Sequence, residues 1–332
     1  KFLIVFSDLY FDFNFKNFIK NTIKKKCIFS CVVHANDHPH DSDTVLLDKN
    51  FNIKNIYKKN SKGFKINNAV GGIYFAQKIF LNHFNFQKGK SYDLVHDILP
   101  KLINCGHKIM AYKTIEYIKD FGTLNRIKIV KRDIKKNKIK NLNFFSKTKS
   151  VFLDRDGVIN QENSKIKVLK NFKILPNIQK AIKKLNKNKI PCFLVSNQAG
   201  LAKGEFKLSE LFKIISKLDK YLSKNNAYID DFLICPHSTN KKYKNTNMSF
   251  FSDYRKPNPG MITTLAHKYR INLKNSFMIG DSDRDILAGK NAGVKTILVE
   301  SPKIKDYKLN VKPNFKTTSL WSAINLVLKK IN

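Results

Sequence analysis

Short apolar runs alternate with amphipathic segments through the second half of the chain. The runs are VFL at 151–153, CFLVS at 192–196, DFLIC at 231–235, SFMIG at 276–280 and KTILV at 295–299. Each run is typical of a buried strand, and the segments between them place apolar residues at helical spacing. This alternation predicts an α/β fold with a doubly wound parallel sheet, in which the carboxyl ends of the strands meet at one edge. Ligands bind at that edge in such sheets.

The first half has weaker patterns. Residues 2–13 predict a buried strand that ends at Ser7 and Asp8. Residues 67–75 bring glycines beside a strand, and residues 117–127 bring an aspartate before a Gly-Thr turn. The segment 32–48 offers a possible metal cluster of His34, His38, His40, Asp41 and Asp43, but its dense and irregular spacing fits a polar loop better. We interpret it as a polar loop.

Length and composition fit two folded domains. At about 100–200 residues per domain, the 332 residues predict two, and the hydrophobic fraction of 42% argues against intrinsic disorder. Residues 133–148 are rich in Lys and Asn and show little periodicity. We therefore predict a linker at 133–148, a first domain at 1–132 and a second domain at 149–332.

We expect neither a targeting segment nor a disulfide framework. No apolar run approaches the roughly 18 residues that a membrane span needs, and no basic segment leads into a signal peptide. The five cysteines are irregularly spaced, which does not indicate a disulfide framework. We expect a cytoplasmic protein without a membrane partner, and the sequence predicts no oligomeric state.

The charge is strongly basic, with 63 Lys and Arg against 25 Asp and Glu and a formal net charge of +38. A basic nucleic-acid-binding protein is one interpretation, and it predicts steeply salt-dependent binding. Only six of the basic residues are Arg, the preferred reader of phosphates and base edges, and the lysines are spread along the whole chain. We expect no specific nucleic-acid partner, and we expect the charge to help attract phosphorylated substrates.

Four groups of polar residues interrupt the second half, three at the ends of predicted strands and one in a loop. They are Asp154 to Gly157, Ser196 to Gln198, Arg255 with Lys256, and Gly280 to Asp285. Asp154 and Asp281 could share Mg²⁺, which prefers oxygen ligands. A carboxylate shielded by that metal can attack phosphorus and form an aspartyl-phosphate. Asp156 is placed to protonate the leaving oxygen and then to activate water.

Other residues in these groups suit a phosphoryl group. Gly157 lets the backbone approach a phosphoryl group closely. Ser196 offers a hydroxyl and Lys256 a point charge to the transferring oxygens. Each feature alone is common in turns and helix caps, but their order along the chain is hard to explain by turns.

These motifs resemble the haloacid-dehalogenase (HAD) superfamily of phosphatases over about residues 149–302. They are FLDRDGVIN, FLVSNQAGLAKGEF, CPH, YRKPNPGM and MIGDSDRDILAGKNAG. The pattern is more closely similar to the heptose 1,7-bisphosphate 7-phosphatases and to the histidinol-phosphate phosphatases. The resemblance implies a compact fold without a large cap. It also implies hydrolysis of the 7-phosphate of D-glycero-D-manno-heptose 1,7-bisphosphate, with histidinol phosphate as the alternative substrate.

The resemblance also implies roles for single residues. Asp154 is the nucleophile, Asp156 the acid/base, and Ser196 and Lys256 bind phosphate. Magnesium is held by Asp154, the backbone carbonyl of Asp156 and Asp281. Three further implied assignments are Asn197 and Arg255 facing phosphate and substrate, Gly157 beside the phosphoryl group, and Asp285 in a structural role.

The motifs depart from this pattern at two places. Close relatives bind a structural zinc through Cys-x-His and Cys-x-Cys, and here Cys235 and His237 match the first pair only. The second pair is replaced by Ser252, Asp253 and Tyr254, so we predict no zinc. The basic residue of the second motif loop is Lys203 rather than Arg, which keeps the charge and loses bidentate geometry.

The first half resembles the sugar-1-phosphate nucleotidyltransferases over about residues 1–132. By that resemblance Asp8 and Asp120 match the two metal-binding aspartates, and Asn68 and Gly72 fall in the sugar-binding segment. The family's Gly-rich loop, which cradles the triphosphate, would lie before Lys1, so we expect this partial domain to transfer no nucleotide. The fusion favours a role in nucleotide-heptose supply for lipopolysaccharide, by association.

Overall fold

A computed structural model describes residues 1–59, 66–161, 172–239, 252–300 and 310–331. The chain divides into two compact units, Lys1–Phe144 and Phe145–Asn332. Residues 133–148, expected to be a linker, contain the end of a helix, a 3₁₀ turn at Ile139–Leu142 and the division between the units. In the described ranges, no helix has the length and apolar character of a membrane span.

The first unit is a mixed α/β fold. Its elements are β1 (Phe2–Val5), β2 (Leu9–Asp12), α1 (Phe15–Lys24), β3 (Phe29–His34), β4 (Thr44–Leu47), β5 (Ile53–Tyr57), β6 (Ala69–Ala76), α2 (Leu99–Asn104), β7 (Ile109–Lys113), β8 (Tyr117–Asp120) and α3 (Leu124–Lys135). The larger sheet has the order β5-β4-β6-β3-β7, and β1 also pairs with β6. β2 and β8 form a separate antiparallel pair. Alternate residues of β3 enter two core clusters, which places a core on each face of the sheet.

The prediction of one buried strand over residues 2–13 was wrong. The segment forms two strands in different sheets, and Phe2, Leu3 and Val5 of β1 are exposed. Among the strands that the structure describes, β1 pairs with β6 alone, which makes it an edge strand. A run of apolar residues does not reveal edge position, because a strand's preference depends on its neighbours in the sheet.

The second unit is built on a parallel sheet of six strands. Its elements are β9 (Val151–Leu153), α4 (Ile178–Lys187), β10 (Cys192–Asn197), α5 (Leu208–Ser223), β11 (Asp231–Cys235), α6 (Gly260–Tyr269), β12 (Phe277–Gly280), α7 (Asp283–Ala292), β13 (Lys295–Val299), β14 (Phe315–Thr317) and α8 (Leu320–Ile331). The order β11-β10-β9-β12-β13-β14 is parallel throughout. The predicted doubly wound sheet is confirmed.

Helices cover both faces of this sheet. Apolar residues of α4, α5 and α8 share one buried cluster with Val151, Leu153 and Ile279 of the central strands. On the other face, the Phe193 ring stacks on Tyr269 of α6, with ring centroids 5.2 Å apart. Burial on both faces explains why the strands are continuous apolar runs in the sequence.

The strand order reverses between β9 and β12. From β9 the chain winds outward through β10 to β11, and it then returns to β12 and winds the other way to β14. The loops after β9 and β12 therefore diverge and leave a crevice at the carboxyl edge of the sheet. The residues that follow these two strands are Asp154 and Asp281.

Candidate active site

Asp154 and Asp281 lie on adjacent strands at the reversal point. Leu153 of β9 is in register with Ile279 of β12, and the Asp154 amide donates to the Ile279 carbonyl at 2.9 Å. The pairing reaches Leu153, the last residue of β9, and each aspartate follows its strand directly. The two carboxylates therefore face the same crevice, as the strand-end pattern predicts.

A buried lysine ammonium sits among the carboxylates. Lys256 is 3% exposed, and its Nζ lies 2.6 Å from Asp154 Oδ1 and 2.6 Å from Asp285 Oδ1. Nζ also donates to the Val195 carbonyl oxygen at 2.9 Å. The ammonium thus makes hydrogen bonds to Asp154 and Val195, and its contact with Asp285 is an ion pair.

Burial and charge act in opposite directions on this ion pair. Burial raises the pKa of the Asp154 carboxyl to about 7, and the negative charges of Asp285 and Asp156 add to the rise while Lys256 opposes it. Burial works to lower the pKa of Lys256, but Asp154 and Asp285 outweigh it and raise that pKa above its usual value. The lysine therefore remains charged, and a cation next to Asp154 favours the ionised form of that carboxyl.

Gly157 makes room for the Asp281 carboxylate. Its φ is +78°, in the left-handed region that favours glycine. A Cβ on Gly157 would overlap the carboxylate of Asp281, which lies against the backbone at this point. The glycine is thus required both by its backbone conformation and by the close approach of the second aspartate.

Asp156 is held by a set of donors that sequence reasoning missed. Arg155 Nη2 lies 3.0 Å from both carboxylate oxygens, Asn160 Nδ2 donates at 2.9 Å, and Gln198 Nε2 donates at 2.9 Å. Arg155 is 2% exposed, so its guanidinium is buried against Asp156. The one available signal for Gln198 is its position just after β10 at the sheet edge.

Asn197 fastens the loop that carries the lysine. Its Nδ2 donates to the Lys256 carbonyl at 2.9 Å, and its Oδ1 accepts from the Lys256 amide at 3.0 Å. Arg255, the preceding residue, donates from Nη1 to the His237 carbonyl at 2.8 Å. The Lys256–Pro257 peptide bond of this loop is cis. Asn197 therefore sets the position of Lys256 rather than pointing only at a substrate.

A cleft of about 490 Å³ opens over these side chains. Six of the residues predicted for the site line it, namely Asp154, Asp156, Asn197, Arg255, Lys256 and Asp281. Ser196 and Gly157 adjoin these residues without lining the cleft, and Ser196 is 1% exposed. Gln198, Arg155, Asp285 and Arg284 also line it. The cleft thus carries both buried carboxylates and cationic groups.

The carboxylates fit a small hard cation. Within the described ranges, one group of potential ligands converges: oxygens of Asp154, Asp281 and Asp285 lie within 4.8 Å of one another. Both oxygens of Asp285 are already engaged, one by Lys256 and the other by Ser282. The three carboxylates supply the oxygen ligands that Mg²⁺ prefers, and Asp285 is in addition held by Lys256 and Ser282.

The positions of the family's zinc site carry a different contact. Cys235 Sγ lies 3.6 Å from His237 Nδ1, and Cys235 is buried. Burial raises the pKa of the Cys235 thiol and lowers the pKa of His237. The pair is thus a buried thiol beside a loop histidine.

In the first unit, three of the four predicted residues meet at a cavity. Asp8, Gly72 and Asp120 line a space of about 310 Å³, whereas Asn68 is buried outside it. Asp120 lines this cavity but is already paired with a cation. Its Oδ1 accepts from Arg126 Nη1 at 2.6 Å, so a guanidinium already occupies one of its oxygens.

Comparison with known proteins agrees with the second unit. A family model for HAD-hydrolase-like proteins matches residues 253–323. The D-glycero-beta-D-manno-heptose-1,7-bisphosphate 7-phosphatase of Rhodopseudomonas palustris is 34% identical over 155 residues, which cover 47% of this chain and 85% of that protein.

Two solved structures are also similar. The D,D-heptose 1,7-bisphosphate phosphatase from B. bronchiseptica, complexed with magnesium and phosphate, is 28% identical and covers 55% of this chain and 99% of its own, with a TM-score of 0.49. A protein of Bacillus anthracis described as a glucose-1-phosphate thymidylyltransferase is 16% identical and covers 38% of this chain and 51% of its own, with a TM-score of 0.33.

A doubly wound sheet with acidic strand ends at its reversal point, together with these sequence matches, defines a HAD-like phosphatase, an enzyme that hydrolyses phosphoric monoesters. The chain belongs to the heptose-1,7-bisphosphate 7-phosphatase family, because it spans most of the length of a relative with more than 30% identity. The resemblance inferred from the second-half motifs is thereby confirmed.

Proposed function

We propose that this chain removes the 7-phosphate of D-glycero-D-manno-heptose 1,7-bisphosphate through an aspartyl-phosphate on Asp154, with Mg²⁺ as cofactor. The observation that carries the proposal is the buried Asp154 carboxylate, paired at 2.6 Å with Lys256 and lying beside Asp281 at the reversal point of the sheet. The family supports the substrate, since its members are named for this bisphosphate. We place the reaction in the cytoplasmic supply of nucleotide-heptose for lipopolysaccharide.

In the first step, an Asp154 carboxylate oxygen forms a bond to phosphorus and the bond from phosphorus to the sugar oxygen breaks. Asp156 gives its proton to the departing oxygen. In the second step, water attacks the same phosphorus and Asp156 takes the proton of that water. Inorganic phosphate leaves and Asp154 is regenerated, so the cycle consumes one water and leaves the enzyme unchanged.

The other side chains act on charge and position. Asp154, Asp281 and the backbone carbonyl of Asp156 would hold Mg²⁺, whose positive charge would offset repulsion between the carboxylate and the phosphate. Lys256 and Ser196 donate to phosphoryl oxygens, where negative charge collects during transfer. Asn197 holds the lysine loop, and Arg255 at the cleft wall attracts the anionic substrate.

Phosphate release with Mg²⁺ tests the proposal. Heptose 1,7-bisphosphate and histidinol phosphate are compared side by side for wild type and Asp154→Asn, with and without a chelator. We expect release from the bisphosphate that is lost in the variant and after chelation. Release only from histidinol phosphate would refute the substrate, whereas release that persists in Asp154→Asn would refute the nucleophile.

A further inference from the structure

The Asp156 carboxylate receives hydrogen bonds on both oxygens. Oδ1 accepts from Arg155 Nη2 at 3.0 Å, Arg155 Nε at 3.3 Å and Asn160 Nδ2 at 2.9 Å. Oδ2 accepts from Arg155 Nη2 at 3.0 Å and from Gln198 Nε2 at 2.9 Å. Arg155 and Asn160 belong to the same loop as Asp156, so Gln198 supplies the contact from another strand end.

The orientation of the Gln198 amide is determined by Arg155. Gln198 Oε1 lies 3.1 Å from Arg155 Nη2, and a guanidinium can only donate. The oxygen end of the amide must therefore face Arg155, and the nitrogen end must face the other way. Nε2 then has two hydrogens, one directed at Asp156 Oδ2 and one at Ser196 Oγ, each at 2.9 Å.

The same amide sets the direction of the Ser196 hydroxyl. Because Ser196 Oγ accepts from Gln198 Nε2, its own hydrogen is left to be donated elsewhere. In the part of the chain that the structure describes, no second hydrogen bond of this hydroxyl occurs. A phosphoryl oxygen at the carboxyl edge of the sheet is an acceptor of the right chemistry for it.

We propose that Gln198 is a positioning residue that joins the acid/base Asp156 to the phosphate-binding Ser196. Through one amide group it holds the second oxygen of Asp156 and donates to the serine hydroxyl, which leaves the hydroxyl hydrogen for another acceptor. The inference rests on the proposed function, in which Asp156 protonates the leaving oxygen. Loss of the amide should therefore slow the hydrolysis of substrates whose leaving group needs a proton more than the hydrolysis of substrates whose leaving group departs unprotonated.

The test compares two substrates in one ratio. One is an alkyl phosphate, whose alkoxide leaving group requires protonation. It is heptose 1,7-bisphosphate or histidinol phosphate, according to which of them the wild type hydrolyses. The other is p-nitrophenyl phosphate, whose phenolate leaves without a proton. The ratio of their kcat/KM values covers the steps up to departure of the leaving group, and it does not depend on the fraction of folded enzyme.

Gln198→Met keeps the length of the side chain and removes its hydrogen bonds. We expect this variant to lower the alkyl-to-aryl ratio by about tenfold or more, toward the value of Asp156→Asn, since a general acid contributes roughly 10²–10⁴-fold. Ser196→Ala is the matched control. It removes a phosphoryl contact common to both substrates, so both rates fall and the ratio stays within about twofold of wild type.

Two results would overturn the inference, and they are distinguishable. A Gln198→Met enzyme that loses activity equally on both substrates, as Ser196→Ala does, has lost a structural contact and not the placement of an acid. A wild-type enzyme that releases phosphate from none of the three substrates refutes the proposed function, and the role of Gln198 falls with it.

Discussion

Replacing Lys256 tests the electrostatic description of the site, because this buried ammonium has a carboxylate on two sides. Asp154 Oδ1, Asp285 Oδ1 and the Val195 carbonyl oxygen lie between 2.6 and 2.9 Å from its Nζ. Lys256→Met preserves most of the volume and leaves both carboxylates buried without their cation. Breaking a buried ion pair by removing one partner costs about 3–5 kcal/mol, so we expect a loss of that size in the free energy of unfolding without Mg²⁺.

The loss of stability can be measured for the second unit separately from the first. Trp321 is the single tryptophan of the chain and lies in α8, so its fluorescence during guanidinium chloride unfolding reports this unit. Adding Asp285→Asn to the Lys256→Met protein removes one of the two carboxylates that have lost their cation. We expect this second change to recover part of the lost free energy of unfolding. A Lys256→Met protein destabilised by less than about 1 kcal/mol, the usual size for an exposed pair, would show that the ion pairs are not buried as described.

Two further substitutions have defined outcomes. Gly157→Ala forces a side chain onto the Asp281 carboxylate, and we expect phosphate release to fall about 100-fold and Mg²⁺ binding to weaken in a titration. The control is Gly293→Ala, because Gly293 has a similar φ of +76° and a Cβ added there would meet nothing within 4 Å. This control carries the backbone strain without the clash. Burial raises the pKa of Glu116 from 4.5 to about 7. The folded state therefore binds this proton more tightly, and stability falls as pH rises through that window, by about 3 kcal/mol in total. Glu116→Gln should match wild type near pH 5 and exceed it near pH 8 in thermal unfolding; parallel pH curves for the two proteins would contradict this.

The sheet of the second unit was predictable because its strands are buried on both faces. DFLIC and KTILV coincide with β11 and β13 at the predicted residues, and CFLVS differs from β10 by one residue. The carboxyl ends of parallel strands share one edge, which is why Asp154 and Asp281 could be placed together without coordinates. The first unit has a mixed sheet, and there the apolar run at β1 did not reveal an exposed edge.

The hydrogen-bond partners within the site were beyond sequence reasoning. Lys256 is interpreted from sequence as a phosphate ligand, and the structure adds its ion pairs with Asp154 and Asp285. The contacts of Gln198 depend on how closely the loops after β9 and β10 approach each other, and no residue type encodes that distance. Patterns of polar residues predict which strand ends carry chemistry, whereas packing decides which groups touch.

The arrangement of cations explains how two carboxylates two residues apart can serve different steps. Like charges this close repel each other, and both would resist ionisation in a buried site. The structure gives each its own partner: Lys256 pairs with Asp154, and Arg155 pairs with Asp156. Both cations are buried, so their charges are little screened by solvent. Asp154, the proposed nucleophile, and Asp156, the proposed acid/base, therefore each have their own cation although the chain places them two residues apart, and Gln198 links Asp156 to Ser196 at the end of β10.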